Sequence, residues 1–307
     1  MTTTWTREEL EAMAASLGPH WWHSIDLGQG VVTDGTKPPQ LMEQEIEALR
    51  LPDDLTGRTV LDIGAWDGGF SFACERRGAE VTALDHYIWS IDLDEKAGYS
   101  GRCAAAGIEP RPFEEVPEVW RPDTLPGKRG FDTAHEALGS GVTAVVGELE
   151  TIDLDQLGTY DIVLYLGVLY HVLDPFAALK RLAHVTRDLA VIETEMIRLV
   201  GADGADDRPL FEFLPGSALN DDPTNYWVPN VAALEGMCRA AGFAEAHTYV
   251  EEAPPAPAAS GPAASSRAAA VRAQLGRIKR RVLGDDRGPA APRVELQRFR
   301  AVTHARH

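Results

Sequence analysis

Four short runs of apolar, β-branched residues mark the middle of the chain: RTVLDIGA (58–65), AEVTALDH (79–86), YDIVLYLG (160–167) and LAVIETEM (189–196). Each is close to continuously apolar. That is the pattern of parallel strands covered on both faces, not of a half-exposed antiparallel sheet. Helical stretches lie between some of them. Asp174 and Pro175 offer a cap and a first-turn proline to FAALKRLAHVTR. Asn230 opens VAALEGMCRAAG, and Gly242 stops it. FAEAHTYV (243–250) reads as a later strand, and RFRAVTHA (298–305) as a final one able to return to the sheet. This alternation predicts an α/β architecture with helices on both faces of a mainly parallel sheet.

The flanks differ from this core. TREELEAMAASLG (6–18) predicts a short helix with a capping box from Thr6 to Glu9. An irregular aromatic stretch follows, HWWHSIDLGQGVVTDGT, and then a helix over 38–50 with Met42, Ile46 and Leu49 on one face. Residues 1–52 are expected to form a helical cap with an aromatic lid segment, and 53–250 the core. Residues 251–293 hold a Pro/Ala-rich linker, EEAPPAPAASGPAASS, and a basic amphipathic helix at 267–284. That helix reads as a solvated charged face, with a partner or membrane surface or an anionic acceptor as the other readings. Residues 294–307 are expected to carry the returning strand.

The chemistry concentrates in VLDIGAWDGGFSF (60–72), a strand, a glycine turn and a helix start. A dinucleotide-binding turn needs glycine at its first, third and sixth positions, the middle one letting backbone approach the pyrophosphate. Here those positions are Gly64, Trp66 and Gly69, and the indole of Trp66 hinders that approach. A phosphate-binding loop of the Gly-Lys-Ser/Thr type is absent from this stretch. Asp85 nonetheless ends the next strand about 20 residues on, where a carboxylate takes ribose hydroxyls. A ribose without a pyrophosphate fits S-adenosylmethionine. Asp62 would orient its ammonium group or the turn, and Gly64 and Gly68 would let backbone pass close to its amino-acid portion. The plainer alternative is that any α/β protein uses glycine between strand and helix.

Composition narrows the field. The chain has 307 residues, 44% hydrophobic, enough for one large core, and a formal charge of −18 that repels phosphate backbones. Nucleic acid is therefore a disfavoured partner and a small-molecule acceptor the favoured one. No apolar run approaches membrane-spanning length and the N-terminus shows no signal-peptide pattern, so a cytoplasmic protein is expected. Cys74, Cys103 and Cys238 are well separated, which argues against a disulfide frame or a zinc site; no metal is expected.

Taken in order, WHSIDLGQGVVTDG, LTGRTVLDIGAWDGGFSFACERRGAEVTALD, FDTAHEALGSGV, LGVLYHVLDPFAALKRL, IETE and DPTNYWVPN resemble the class I methyltransferases related to the bacterial tRNA wobble-uridine carboxymethyltransferase. The resemblance covers about residues 20–250. It implies a Rossmann-like sheet and S-adenosylmethionine as cofactor. It matches Gly64 to the glycine beside the cofactor, and Asp85 with His86 to the pair near ribose and adenine. Glu150, Thr151 and Ile152 fall on the adenine side. Leu166 and Tyr170 match cofactor-contacting positions, and in the tRNA enzymes that tyrosine helps hold the cofactor's carboxylate. The chain departs from that pattern in lacking a Trp-Lys-Trp cluster, with Lys37 in its place, and in an apparent insertion at 96–130.

Methyl transfer from a sulfonium is an in-line displacement that needs alignment and exclusion of water. Aromatic faces suit a cation, and Trp22, Tyr170, Tyr226 and Trp227 are candidates. A hydroxyl acceptor calls for a base, for which His171, at a strand's C-terminal end, and His23, in the aromatic segment, are candidates. Loop capping for His171 and plain packing for His23 are the competing readings. Glu193 would orient a base or bind the acceptor, while Glu195 reads equally as a rim residue. Asn225, Tyr226 and Trp227 would grip a polar acceptor, unless they only pack a turn. A small-molecule O-methyltransferase leads over two alternatives, a tRNA-modifying transferase and a non-catalytic nucleoside-binding protein.

Overall fold

The computed structural model describes residues 5–200, 207–215, 218, 219, 222, 224–250 and 295–307. The predicted linker and basic helix at 251–293 lie outside them. In chain order the strands are β1 (Asp26–Gly28), β2 (Val31–Val32), β3 (Thr59–Ile63), β4 (Glu80–Asp85), β5 (Thr143–Val146), β6 (Tyr160–Leu166), β7 (Thr186–Val200), β8 (Phe211–Phe213), β9 (Trp227–Pro229), β10 (Glu245–Tyr249) and β11 (Glu295–Arg306). The α-helices are α1 (Arg7–Ala15), α2 (Pro39–Ala48), α3 (Gly69–Arg76), α4 (Leu93–Ala106), α5 (Arg129–Leu138), α6 (Leu154–Leu157), α7 (Pro175–Val185) and α8 (Val231–Ala241).

Seven strands form one sheet in the order β10-β11-β7-β6-β3-β4-β5. β5, β4, β3, β6 and β7 run parallel, while β11 inserts antiparallel between β7 and β10. The apolar runs become the buried centre because both faces are covered. Val60, Val81, Leu164 and Val191 join one core with α1, α2, α3, α5 and Trp21. Leu61, Leu84, Val163 and Ile192 join the other with α7 and α8. The mainly parallel α/β fold expected from the sequence is therefore the fold observed.

Local signals work as their chemistry dictates. The Thr6–Glu9 capping box is made in both directions. Asp174 caps α7 through Ala177 N–H, and Asn230 caps α8 through Ala233 N–H. Some expectations need correction. TAVV, marked by no long apolar run, becomes edge strand β5, because Thr82–Asp85 offers it a partner. The run at 189–196 is only the middle of a 15-residue strand, extended because β11 pairs with it along twelve residues. The helix expected at 38–50 stops at Ala48.

Chain order reverses between β3 and β6, so their loops diverge at the C-terminal ends and leave the crevice where such sheets bind ligands. Gly64 follows β3, Asp85 ends β4, Leu166 ends β6, and Glu193 is the β7 residue beside Leu166.

Candidate active site

The turn after β3 is shaped by what presses on it. Gly64 adopts φ +77°, and a Cβ there would stand 2.5 Å from Val168 Cγ2, in the loop after β6. A side chain at Gly69 would meet the His23 ring at 2.7 Å. The turn is thus pinched between the β6 loop and the N-terminal aromatic segment, which glycine alone permits.

Asp67 ties that segment down. Its Oδ2 accepts the Trp22 amide at 2.7 Å and the His23 amide at 3.0 Å, and its Oδ1 bonds His23 Nδ1. His23 is 3% exposed, its ring edge-on to Phe70. Its burial, with Nδ1 tied to a buried carboxylate, favours the packing reading of His23 over the reading as a base. Lys37 bridges His23 through the backbone, while its ammonium pairs with Glu45 at 2.6 Å. Asp67 was missed in the sequence: an acid between Trp66 and Gly68 reads as part of the turn, and only the fold brings it to Trp22 and His23.

Asp62 is buried and accepts Ser71 Oγ–H at 2.6 Å. Burial pushes its carboxyl up to about 6, against the Ser71 hydrogen bond and His23. A folded pKa raised above the unfolded value means that the native state holds the extra proton, so stability is lost as pH rises through about 6. Asp62→Asn should therefore stabilise the protein at pH 8, by at most about 3 kcal/mol for a rise from 3.8 to about 6, and the gain should vanish at about pH 4. Urea unfolding of both proteins at the two pH values tests this; equal midpoints at pH 8 would refute it.

Asp85 accepts the Trp66 amide at 2.7 Å and the Tyr87 amide at 2.5 Å, and burial raises its carboxyl. Trp66, at φ +53°, sets its indole between Trp22, tilted at 5.6 Å, and Trp89, edge-on at 4.9 Å. The cavity lined by Trp66, Asp85, Tyr87 and Trp89 measures about 10 Å³, room for one water. His86 is half-exposed beside Asp85, its Nδ1 3.8 Å from Asp85 Oδ1. Glu150 and Thr151 are exposed at the rim, and Ile152 and Leu166 are half-buried.

Across the crevice, β11 supplies a residue that the sequence reading passed over. Arg300 stands opposite Glu195 in the ladder. Its Nε and Nη2 grip Glu193 at 2.6 and 2.7 Å, its Nη1 reaches Glu195 at 3.5 Å, and its Nη2 lies 3.4 Å from the Tyr170 hydroxyl. Arg298 and Arg300 alternate along one strand face in RFRAVTHA, which was the legible signal. Burial raises the Tyr170 hydroxyl, against Arg300, and keeps it a donor.

His171 follows Tyr170 and is exposed, with Nδ1 2.9 Å from Thr224 Oγ1. Desolvation holds its imidazolium below the ordinary histidine value, against Thr224 and Asp222 and with the help of Arg300 and His86. Tyr226 donates its amide to the Tyr170 carbonyl at 2.7 Å, which brings the 222–230 turn to the same edge. Asn225 does not offer its side chain to an acceptor as expected: it is 2% exposed and donates to the Leu219 carbonyl. Trp227 donates to the Leu173 carbonyl at 3.3 Å and packs on Phe213.

Carboxylates of Asp85 at the C-terminal end of β4, and of Glu193 and Glu195 on β7 at and just past the end of β6, suit a ligand carrying a sulfonium and an ammonium. The methyltransferase-domain family model matches residues 37–248, and the chain belongs to that family. The expected S-adenosylmethionine-dependent class I methyltransferase is met in both family and fold. Among curated proteins, the tRNA U34 carboxymethyltransferase of Campylobacter jejuni strain 81116 is 28% identical over 102 residues, 32% of this chain and 33% of that protein. Its counterpart in C. jejuni subsp. doylei is 30% identical over 94 residues, 30% of each chain. The chain thus matches about a third of the length of these relatives. Among solved structures, the N-terminal domain of EvdMO1 with SAH bound is 18% identical, with a TM-score of 0.53 over 100% of this chain and 99% of that one. The same domain in the presence of SAH and D-fucose is 19% identical, with a TM-score of 0.52 over the same shares. Among the described residues, no helix is long and apolar enough to cross a membrane.

Proposed function

We propose that this chain methylates an oxygen of a small-molecule acceptor, a hydroxyl of a sugar or another secondary metabolite. The observation that carries the reading is His171: an exposed imidazole, held neutral, in the same loop as the Val168 that presses on Gly64. When bound, S-adenosylmethionine supplies an electrophilic methyl group. Gly64, Asp62, Asp85, His86 and Leu166 would hold it, with Glu150 to Ile152 on the adenine side. Trp22 and Tyr226 border the acceptor and exclude water. His171 accepts the hydroxyl proton as the oxygen attacks. The formal charge of −18 and the D-fucose named for the EvdMO1 domain support a small polar acceptor over RNA.

The rival reading, a carboxylated cofactor and tRNA, draws on the curated relatives and on Arg300 beside Tyr170. Arg300 is already matched by Glu193 and Glu195, so the cluster carries net negative charge and favours a cofactor without an added carboxylate.

Calorimetry with S-adenosylmethionine and its carboxylated analogue should give tighter binding of the plain form. Tighter binding of the carboxylated form would move the search to tRNA, and absence of binding by either would overturn the site. Against a panel of hydroxyl acceptors, followed by release of S-adenosylhomocysteine, His171→Gln should lower kcat about 10²-fold or more and leave cofactor affinity intact. The neutral ring is the working form and its pKa lies below the ordinary 6.5, so wild-type kcat should be flat through neutral pH and fall only in acid. An unchanged rate in His171→Gln would remove it as the base.

A further inference from the structure

The loop that carries Thr224 does more than cover His171. Thr224 Oγ1–H donates to Asp222 Oδ1 at 2.6 Å, and that same carboxylate oxygen also accepts the Thr224 amide at 2.8 Å. With its only proton committed to the carboxylate, the Thr224 hydroxyl can meet His171 Nδ1 only as an acceptor, at 2.9 Å. The second neighbour of Nδ1 is the Thr224 carbonyl oxygen at 3.2 Å, which is also an acceptor. Both contacts demand a proton on Nδ1.

We infer that Asp222 and Thr224 form a relay that sets the tautomer of His171, holding the proton on Nδ1 and leaving Nε2 as the nitrogen with a free lone pair. This deepens the reading of His171 as the base and rests on it. Asp222 and Thr224 are positioning residues, since they act through the imidazole and touch none of the reacting atoms. A ring in the other tautomer would carry a proton on Nε2 and could not take one there. The arrangement also explains a feature of the sequence: the acid and threonine of DPTN are two residues apart, the spacing at which an aspartate closes on a following amide and hydroxyl together.

The groups that face the ring from neighbouring elements are Asp222 from the same loop, Arg300 from β11 and His86 after β4. Replacing Asp222 by alanine removes the one negative charge in this set together with the oxygen that holds the Thr224 hydroxyl proton. The hydroxyl proton is then free to turn toward Nδ1.

Nitrogen-15 spectra of histidine-labelled protein test the relay without any acceptor, the His171 signals being assigned by their loss in His171→Gln. In the wild type at pH 7.5, Nε2 should show the shift of an unprotonated nitrogen and Nδ1 that of a protonated one. In Asp222→Ala the Nε2–H form should rise at least about tenfold in population and the titration midpoint of His171 should fall. Thr224→Ser, which keeps the hydroxyl, should behave as wild type. A wild-type ring protonated on Nε2, or an Asp222→Ala protein with tautomer and midpoint unchanged, would overturn the inference. Those results would leave the methyltransferase reading standing, because that is judged separately by cofactor binding and by the His171→Gln rate.

Discussion

Asp67→Ala should lower the unfolding free energy by about 3 kcal/mol or more, because it leaves several buried donors without their acceptor, at about 1–3 kcal/mol each. The loss has three parts. The Trp22 and His23 amides, 2.7 and 3.0 Å from Oδ2, would lose their acceptor, and the buried His23 ring would lose its partner. The His23 amide and ring are poorly placed to recover a bond from bulk water, since His23 is 3% exposed and Asp67 1%. Asp67→Asn keeps a carbonyl oxygen for the amides and should cost clearly less. Because the Trp22–His23 segment borders the glycine turn, Asp67→Ala should also weaken binding of S-adenosylmethionine. Urea titration followed by tryptophan fluorescence reads the first effect and calorimetry the second. A loss below about 1 kcal/mol would mean that the segment is held by apolar packing alone.

Arg300→Ala should reduce kcat/KM about 100-fold or more. The guanidinium separates Glu193 from Glu195 and reaches Tyr170, so its removal leaves two carboxylates facing one another beside an unpartnered phenol. Arg300→Lys should recover only part of the rate, because an ammonium cannot reproduce the paired bonds that Nε and Nη2 make to Glu193. The side chain is 42% exposed, so the effect should appear in turnover far more than in stability. A variant with wild-type kcat/KM would show that the cluster only braces β11 against β7. Glu193→Gln offers the converse: with Arg300 less fully neutralised, affinity for the carboxylated cofactor should rise relative to the plain one.

The two variants touch different halves of the crevice and differ in how far the sequence announced them. Asp67 lies inside the most legible motif of the chain, VLDIGAWDGGFSF, yet its role depends on a segment 44 residues earlier that carries no signal of where it will fold. Arg300 lies 107 residues beyond Glu193, and its strand enters the sheet between β7 and β10 rather than at an edge. The same separation hid the relay: His171 and Thr224 are 53 residues apart, and only the Tyr226 amide on the Tyr170 carbonyl brings their loops together.

By itself the sequence determined what depends on short-range chemistry. Apolar β-branched runs became buried parallel strands, because their short length and β-branched content suit a strand covered on both faces. Capping residues began the helices, and glycines marked the pinched turn after β3. The acids at Asp62 and Asp85 marked the crevice. Tertiary structure decided which of the candidate side chains are free to act. His23 and Asn225 have residue types suited to catalysis and recognition, but burial of both side chains favours a packing role. Arg300, Asp67 and Thr224 acquire their roles only from partners far along the chain. Whether a polar side chain is a tool or a tether depends on which of its lone pairs and protons are already taken, and that count exists only once the chain is folded.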